Sequence, residues 1–310
     1  MTSGRLGRVV SIMAVVGLLS TAVFWWPGQP GWGQSGPRSS LASMDVPWPS
    51  HGQSAIAVLG AGRRVSDSEA QPVPIASIAK VMTAYVVLTR FPLAGQQAGF
   101  TLSLNDFEAE QATSDAAQGQ SYLSVVPGEQ LTERQALEAL LLPSANNIAM
   151  ALAVRVAGTL TAFVSLMNRD AASLGMHHTT YTDPSGLAPT TVSTAADQLR
   201  LAKVALRVPA LREIAGLSRA ALPVAGTISN TDTLLGRDGI VAGKTGSDAA
   251  AGGCFVFLAR RHVGDARVSV VGVVLGQRGR RLIDAGLDAG DSLLDGVAAR
   301  LTSPPTSGRG

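Results

Sequence analysis

Cysteine occurs once in this 310-residue chain, at Cys254. A single thiol excludes an intramolecular disulfide framework and any zinc cluster built on cysteines. Four histidines with no HExxH arrangement argue against a zinc hydrolase, so no metal and no cofactor is expected. Charged residues are sparse at 15%, whereas apolar residues reach 46%. Such a chain can bury a sizeable core and is not generally disordered. The net charge of +3 is confined to one end: residues 1–40 carry Arg5, Arg8 and Arg38 and no acid, leaving 22 basic against 22 acidic residues beyond them. The body has no basic footprint, which argues against a nucleic-acid partner. Lysine is the scarcest charge of all. Lys80, Lys203 and Lys244 stand against 22 arginines.

The first 26 residues read as an export element. Arg5 and Arg8 precede an apolar run from Val9 to Trp26, whose residues in a helix would span about 27 Å, close to a bilayer core. The arginines would hold the N-terminus inside and send the body outward, with Trp25 and Trp26 at the far interface. A signal anchor is one reading. A cleavable signal peptide is the other, with Ser20-Thr21-Ala22 as the small-x-small site. Either places the body on the extracytoplasmic face of a cell membrane. Residues 27–44 are Gly-, Pro- and Ser-rich with little to bury, and read as a linker. The folded part is expected over 45–301, with an unstructured tail at 302–310.

Within the body, residues 54–59 (SAIAVL) read as a buried strand. Residues 77–88 are apolar on most sides and read as a core helix. Thr132 and Gln135 form a capping-box pattern opening a helix that Pro143 stops. Further helices are expected over 146–157, ended by Gly158, and on the face made by Phe163, Val164, Met167, Ala171 and Leu174. Residues 253–259 and 268–275 read as strands joined by a polar turn at 260–267, and 282–301 as a closing helix. Strand, helical middle, strands and final helix fit an α+β fold whose sheet is built from both chain ends.

The chemistry shows at the lysines. Arginine cannot release its proton, whereas a buried lysine shifts its pKa far enough to act as a base. Ser77-Ile78-Ala79-Lys80 places a serine and a lysine at i and i+3, on one helix face. Serine is a weak nucleophile until a neighbouring base takes its proton, and Ile75, Ile78, Val81 and Met82 supply an apolar wall that keeps the amine neutral. Lys244-Thr245-Gly246 ends a strand expected over 239–243. A cation and a hydroxyl there can hold a carboxylate, and Gly246 lets a substrate backbone come close. Ser144-Ala145-Asn146, in the break after Pro143, offers a hydroxyl for proton relay and an amide for positioning; Ser144 is also expected to cap the following helix. Composition alone would bring all three motifs together in roughly 0.003 of such chains.

S-x-x-K, S-x-N and K-T-G form the signature of penicillin-binding proteins and class A β-lactamases. Residues 74–84 (PIASIAKVMTA) narrow the resemblance, together with Pro127-Gly128-Glu129, Leu174-Gly175-Met176, Asp183-Pro184-Ser185-Gly186-Leu187 and Ser229-Asn230-Thr231. With these, the chain resembles the low-molecular-mass D-alanyl-D-alanine carboxypeptidases over about residues 53–277. The resemblance implies an antiparallel sheet flanked by helices, with an inserted all-helical subdomain and the site in the cleft between. It implies that Ser77 attacks the carbonyl between the two terminal D-alanines of a peptidoglycan stem peptide while Lys80 takes its proton. Ser144 relays a proton to the departing D-alanine, and Asn146 positions Lys80 and the substrate amide. Lys244 and Thr245 bind the terminal carboxylate, Gly246 admits the substrate backbone, and the N–H groups of Ser77 and Ser247 form the oxyanion hole. Water then hydrolyses the acyl-enzyme, and penicillins acylate Ser77 instead.

Three departures bear on this. Ala145 stands where Gly is usual and is expected to narrow the approach. Asn147 stands where Asp is common. Asp248 follows the K-T-G motif and is expected to weaken carboxylate binding. A β-lactamase would use the same motifs plus a deacylating glutamate, but the only glutamate between Asn147 and Gly243 is Glu213, outside the expected context. Endopeptidase or transpeptidase action uses the same acylation. A non-catalytic wall-binding or β-lactam-sensing module is disfavoured by the intact Ser77/Lys80 pair. Cys254 reads as a packed thiol, Lys203 as a solvated helix residue, and Asp183 with Gly186 as a turn near the cleft.

Overall fold

The computed structural model describes residues 46–59, 63–66, 71–263 and 266–302. The export segment 1–26, the linker 27–44 and the tail from residue 303 lie outside the described residues. In chain order, strands β1 (Gln53–Leu59), β2 (Arg63–Ser66) and β3 (Val73–Pro74) lead into a 3-10 turn (Ala76–Ala79) and helix α1 (Lys80–Arg90). Next come β4 (Thr101–Ser103), α2 (Asp106–Ala117), β5 (Gln130–Thr132), α3 (Glu133–Leu141), α4 (Asn146–Ala157) and α5 (Leu160–Ser173). After β6 (Val192–Ser193) come α6 (Ala195–Ala205), α7 (Pro209–Ala215) and the hairpin β7 (Arg219–Leu222) and β8 (Gly226–Ser229). Strands β9 (Ile240–Asp248), β10 (Gly252–Val263) and β11 (Ala266–Gln277) and helix α8 (Leu282–Thr302) close the chain.

The main sheet is antiparallel with strand order β2-β1-β11-β10-β9, so the chain's two ends pair at its centre and helices α1–α7 are inserted between β2 and β9. This is the α+β architecture expected. Successive residues of a strand face opposite sides of a sheet. Ile56, Val58, Phe255, Phe257, Val270 and Val274 accordingly pack with Leu287, Leu294 and Val297 of α8. Ala55, Ala57, Val256, Leu258, Val271 and Val273 pack beneath the inserted helices. Burial on both faces explains why β10 and β11 read as unbroken apolar runs.

Helix boundaries follow local chemistry. The capping box of α3 forms as expected, with the Thr132 hydroxyl and the Gln135 side chain each accepting from the other's backbone N–H. An equivalent box, Asn105 with Glu108, opens α2. Gly158, at φ +78°, ends α4.

Four boundaries differ from expectation. The α-helix begins at Lys80, and Ser77 lies in the preceding 3-10 turn. The segment 260–267 is largely strand: Arg260↔Ser269 through Val263↔Ala266 continue the β10–β11 ladder, because backbone pairing tolerates polar side chains at an exposed end. Strand β9 runs through the K-T-G residues to Asp248, held by β10, rather than stopping at Gly243. The closing helix includes Thr302, one residue beyond the expected boundary.

Candidate active site

The 3-10 turn explains how Ser77 meets Lys80. With three residues per turn, side chains at i and i+3 eclipse. Lys80 Nζ lies 2.9 Å from Ser77 Oγ. The turn is wound by its neighbours. Ala76 takes φ +46°, a left-handed conformation that alanine adopts only under constraint. The loop at Gly186, itself at φ +79°, presses so closely that a Cβ there would stand 1.9 Å from the Ala76 carbonyl oxygen. Only glycine fits.

Lys80 is fully buried. Its Nζ also lies 2.8 Å from Asn146 Oδ1 and 2.8 Å from the Ser185 carbonyl oxygen. The amine therefore touches the nucleophile's hydroxyl and two fixed oxygens at once, and in its deprotonated form it is placed to accept the Ser77 proton. Burial, with Lys244 as a second positive charge, holds the amine well below the usual lysine range, while Asp183 and Asp115 pull it back up.

The Ser185 carbonyl is held by the Asp183 turn. Asp183 Oδ2 accepts from Ser185 N at 3.1 Å, Ser185 Oγ at 2.5 Å and Leu187 N at 3.0 Å, and its Oδ1 accepts from Thr191 Oγ1 at 2.6 Å. Thr83 of α1 donates to the Pro184 carbonyl at 2.6 Å. Asp183 is therefore a turn residue, as expected, but the turn delivers a backbone acceptor to the amine. Sequence reasoning missed Ser185, because a carbonyl role leaves no side-chain signature. The only signal was the turn-forming pair Asp183 and Gly186.

Ser144 takes φ +68°, and its Oγ is buried with no hydrogen-bond partner among the described residues. It does not cap α4; the cap position is Ala145, which makes no side-chain bond. Ala145 is fully buried, so its methyl does not narrow an open approach. Asn146 is tied down by its backbone N–H to the Ser121 carbonyl at 2.9 Å. Asn147, also fully buried, clamps the segment beneath. Its Oδ1 accepts from Leu123 N at 3.0 Å, and its Nδ2 donates to the Leu123 and Glu108 carbonyls at 2.9 and 3.3 Å. An aspartate would lose both donations.

Lys244 and Gly246 of β9 stand opposite Val256 and Cys254 of β10, on the face toward the inserted helices. A Cβ on Gly246 would stand 2.9 Å from the nitrogens of both Ser77 and Ile78, so strand and nucleophile turn are in contact. Lys244 Nζ donates to the Thr245 carbonyl at 2.9 Å, and Thr245 Oγ1 lies 2.6 Å from Thr231 Oγ1. Burial depresses the Lys244 ammonium to about 7, opposed by Asp232. Ser247 and Asp248 are half-buried at the strand's end. The Asp248 carboxylate is occupied: Oδ1 accepts from Ala250 N and Ala251 N at 2.8 and 2.7 Å, fastening the turn to β10.

The structure thus joins Ser77 and Asn146 through Lys80, and sets Gly246, with its strand neighbours Lys244 and Thr245, against the Ser77 turn. Glu213 lies exposed on α7. Cys254 is fully buried, its thiol pushed up to about 12 by that burial. Lys203 is in the last turn of α6. Among the described residues, no three His, Cys, Asp or Glu side chains gather as a metal site.

A family profile described as D-alanyl-D-alanine carboxypeptidase matches residues 47–279. A D-alanyl-D-alanine endopeptidase of Pseudomonas aeruginosa is 38% identical over 143 residues, covering 46% of this chain and 42% of that protein. The D-alanyl-D-alanine carboxypeptidase DacB2 of Mycobacterium tuberculosis is 34% identical over 195 residues, covering 61% and 62%. The chain therefore spans less than two thirds of the length of these relatives. The crystal structure of the Streptomyces K15 DD-transpeptidase shares the fold at TM-score 0.71 and 24% identity, over 82% of this chain and all of that one. A D-alanyl-D-alanine carboxypeptidase from M. tuberculosis H37Rv superposes at TM-score 0.70 and 28% identity, over 86% and 97%.

Proposed function

The chain belongs to the D-alanyl-D-alanine carboxypeptidase family, and from that membership we propose that it is a serine peptidase opening the bond between two D-alanines of peptidoglycan stem peptides. The observation that carries this reading is the contact of the buried Lys80 Nζ with Ser77 Oγ at 2.9 Å, the same amine being held by Asn146 Oδ1 and the Ser185 carbonyl. An aligned amine whose pKa burial lowers is the base that serine acylation requires.

In the acylation step Ser77 Oγ attacks the carbonyl carbon as its proton passes to Lys80. The ammonium so formed keeps its bonds to Asn146 and Ser185, within the field of Asp183 and Asp115. The N–H groups of Ser77 and Ser247 face the developing oxyanion. The unpartnered Ser144 hydroxyl carries a proton to the departing D-alanine nitrogen, and Lys244 with Thr245 holds the terminal carboxylate. Water then releases the acyl group. β-Lactams, whose ring amide stands in for the scissile bond, would acylate Ser77. Residues 1–26 would bring the enzyme to the outer face of the membrane.

Removal of the terminal D-alanine is the primary reading. Cleavage of cross-links is a second, favoured by relatives from P. aeruginosa and Escherichia coli that are named D-alanyl-D-alanine endopeptidases. A β-lactamase reading has no support, since Glu213 is exposed on α7.

The test is product analysis by mass spectrometry. The full chain is incubated with a stem pentapeptide and with a cross-linked muropeptide dimer, alongside Ser77→Ala. Release of one D-alanine from the pentapeptide supports the carboxypeptidase, and conversion of dimer to monomers the endopeptidase. No product from either, or equal product from Ser77→Ala, would refute the proposal.

A further inference from the structure

Thr231, the last residue of the Ser229-Asn230-Thr231 motif, has no part in the mechanism above, yet its hydroxyl touches a residue that does. Thr231 Oγ1 lies 2.6 Å from Thr245 Oγ1, and among the described residues it is the one hydrogen-bond partner of that oxygen. The position of Thr231 is fixed from both sides. Before it, Asn230 Nδ2 donates to the Leu217 and Ala215 carbonyls at 2.9 and 3.4 Å, at the end of α7, and Asn230 N donates to the Ser218 carbonyl at 2.9 Å. After it, Asp232 N donates to Asn230 Oδ1 at 2.9 Å, and Asp232 Oδ1 accepts from Leu234 N at 2.9 Å. The N–H of Thr231 itself donates to the Leu142 carbonyl at 3.2 Å. Leu142 leads through Pro143 into Ser144, so Thr231 is tied to the segment that carries the S-x-N residues.

Strand alternation makes the contact informative. Lys244 and Gly246 pair with Val256 and Cys254, which pack beneath the inserted helices. Thr245 pairs with Phe255, which packs toward α8. Alternation alone would send the Thr245 side chain to the α8 face, away from Lys244. However, β9 ends the sheet, with no strand beyond it among the described residues. At that edge the Thr245 hydroxyl meets a residue anchored to Leu142, which belongs to the core of the inserted helices. The bond to Thr231 therefore holds the hydroxyl at the open edge, toward the S-x-N segment.

The proton count gives the bond a direction. A hydroxyl donates one proton and accepts at two lone pairs. Thr231 Oγ1 has two acceptors in reach, Thr245 Oγ1 at 2.6 Å and the Leu142 carbonyl at 3.4 Å, and that carbonyl already receives the Thr231 N–H. The shorter contact is the stronger bond and takes the proton. Thr245 then accepts from Thr231, and its own proton is uncommitted. The opposite orientation would commit the Thr245 proton to Thr231 and turn lone pairs toward an incoming anion. Accepting a bond also polarises the Thr245 O–H and makes it a better donor.

We propose that Thr231 is a positioning residue: it holds the Thr245 hydroxyl at the open edge of β9 and donates to it, so that the single proton of Thr245 is left for the substrate's terminal carboxylate. This deepens the peptidase reading and rests on it. Thr231 acts through Thr245 and does not touch substrate.

The experiment measures the second-order rate of acylation by benzylpenicillin, which carries a carboxylate, and by its methyl ester, which does not. The full chain is compared with Thr231→Ala, Thr231→Ser, Thr245→Ala and the two alanine substitutions combined. Ser77 and Lys80 serve both reagents, so the ratio of the two rates isolates the carboxylate's advantage. The parent should react faster with the acid than with the ester. Thr231→Ala should slow the acid about tenfold, the scale of one hydrogen bond to a charged group, and leave the ester within about twofold. Thr231→Ser, which keeps the hydroxyl, should restore the acid's rate. On top of Thr245→Ala, the change Thr231→Ala should cost less than about twofold, because a residue acting through Thr245 has nothing left to position. An unchanged acid rate or an equal loss for acid and ester in Thr231→Ala would overturn the inference and leave the peptidase reading standing. So would an acid rate that serine does not restore, or an undiminished loss in the combined variant. Equal rates for acid and ester in the parent would overturn the inference together with the carboxylate role of Lys244 and Thr245. Acylation by neither reagent would overturn the peptidase reading itself.

Discussion

Gly246 meets Ser77 across the cleft at a distance that leaves no room for a side chain: a Cβ on the glycine would stand 2.9 Å from the Ser77 nitrogen. The contact sets where the edge strand of the sheet lies relative to the nucleophile. Gly246→Ala should push β9 away from the turn by a few tenths of an ångström, misaligning the amides of Ser77 and Ser247. Acylation by penicillin, followed by intact mass, should slow by about 10²-fold, because small displacements at a reacting centre have effects of that size. The melting temperature should show a loss below about 2 kcal/mol, the range for overpacking.

Lys80 should make the pH profile unlike that of an ordinary lysine. Its folded pKa is held well below the usual lysine range, first by burial and then by Lys244. The acylation rate should rise with pH and reach its plateau well below the usual lysine range. Asp183 raises that pKa. Asp183→Asn should therefore move the rising limb to lower pH, and it should also lower the plateau about tenfold as the Ser185 carbonyl loses its anchor. A rate profile of both proteins checks this. A purely structural role would lower the plateau without moving the limb.

The three motifs were legible because each carries side-chain chemistry at fixed spacing. Ser77 and Lys80 are three residues apart, and that alone predicts their contact. The 3-10 form of the turn was not legible, because the left-handed Ala76 beneath it is matched to Gly186, which is distant in sequence. The sheet was legible at β1, β10 and β11, which are apolar on both faces. The second half of β9 was not, since Lys, Thr, Gly, Ser and Asp there do not resemble a strand, and only pairing with β10 makes them one. Helix α2 escaped because Asp106–Ala117 is acidic with few buried residues, and the Asn105–Glu108 box is its one local mark. The departures at Ala145, Asn147 and Asp248 pointed toward function in the sequence. In the structure each serves packing or a turn.

Ser144 should show a trade between stability and activity. Its hydroxyl is buried without a partner and its backbone is left-handed. Ser144→Ala should leave the melting temperature unchanged or higher while slowing acylation about 10²-fold, the scale of a lost proton relay. Ser144→Gly should be more stable than Ser144→Ala by about 1 kcal/mol, because only glycine takes that φ without strain.

Asn147 should prove structural. Asn147→Asp removes the donor to the Leu123 and Glu108 carbonyls and buries a carboxyl in its place. Urea unfolding should show a loss of about 2 kcal/mol or more. A buried carboxyl has its folded pKa raised, so the folded state binds the extra proton and stability falls as pH rises. The loss should be larger at mildly alkaline than at mildly acid pH.

The central claim is that Ser77 is a nucleophile activated by Lys80, and intact mass tests it most directly. The full chain is incubated with benzylpenicillin, with Ser77→Ala and Lys80→Met alongside. A stable one-to-one adduct on the parent is predicted, absent from Ser77→Ala and formed at a rate lower by about 10³-fold or more in Lys80→Met. An adduct that persists in Ser77→Ala, or a parent that forms none and consumes no penicillin, would contradict the account.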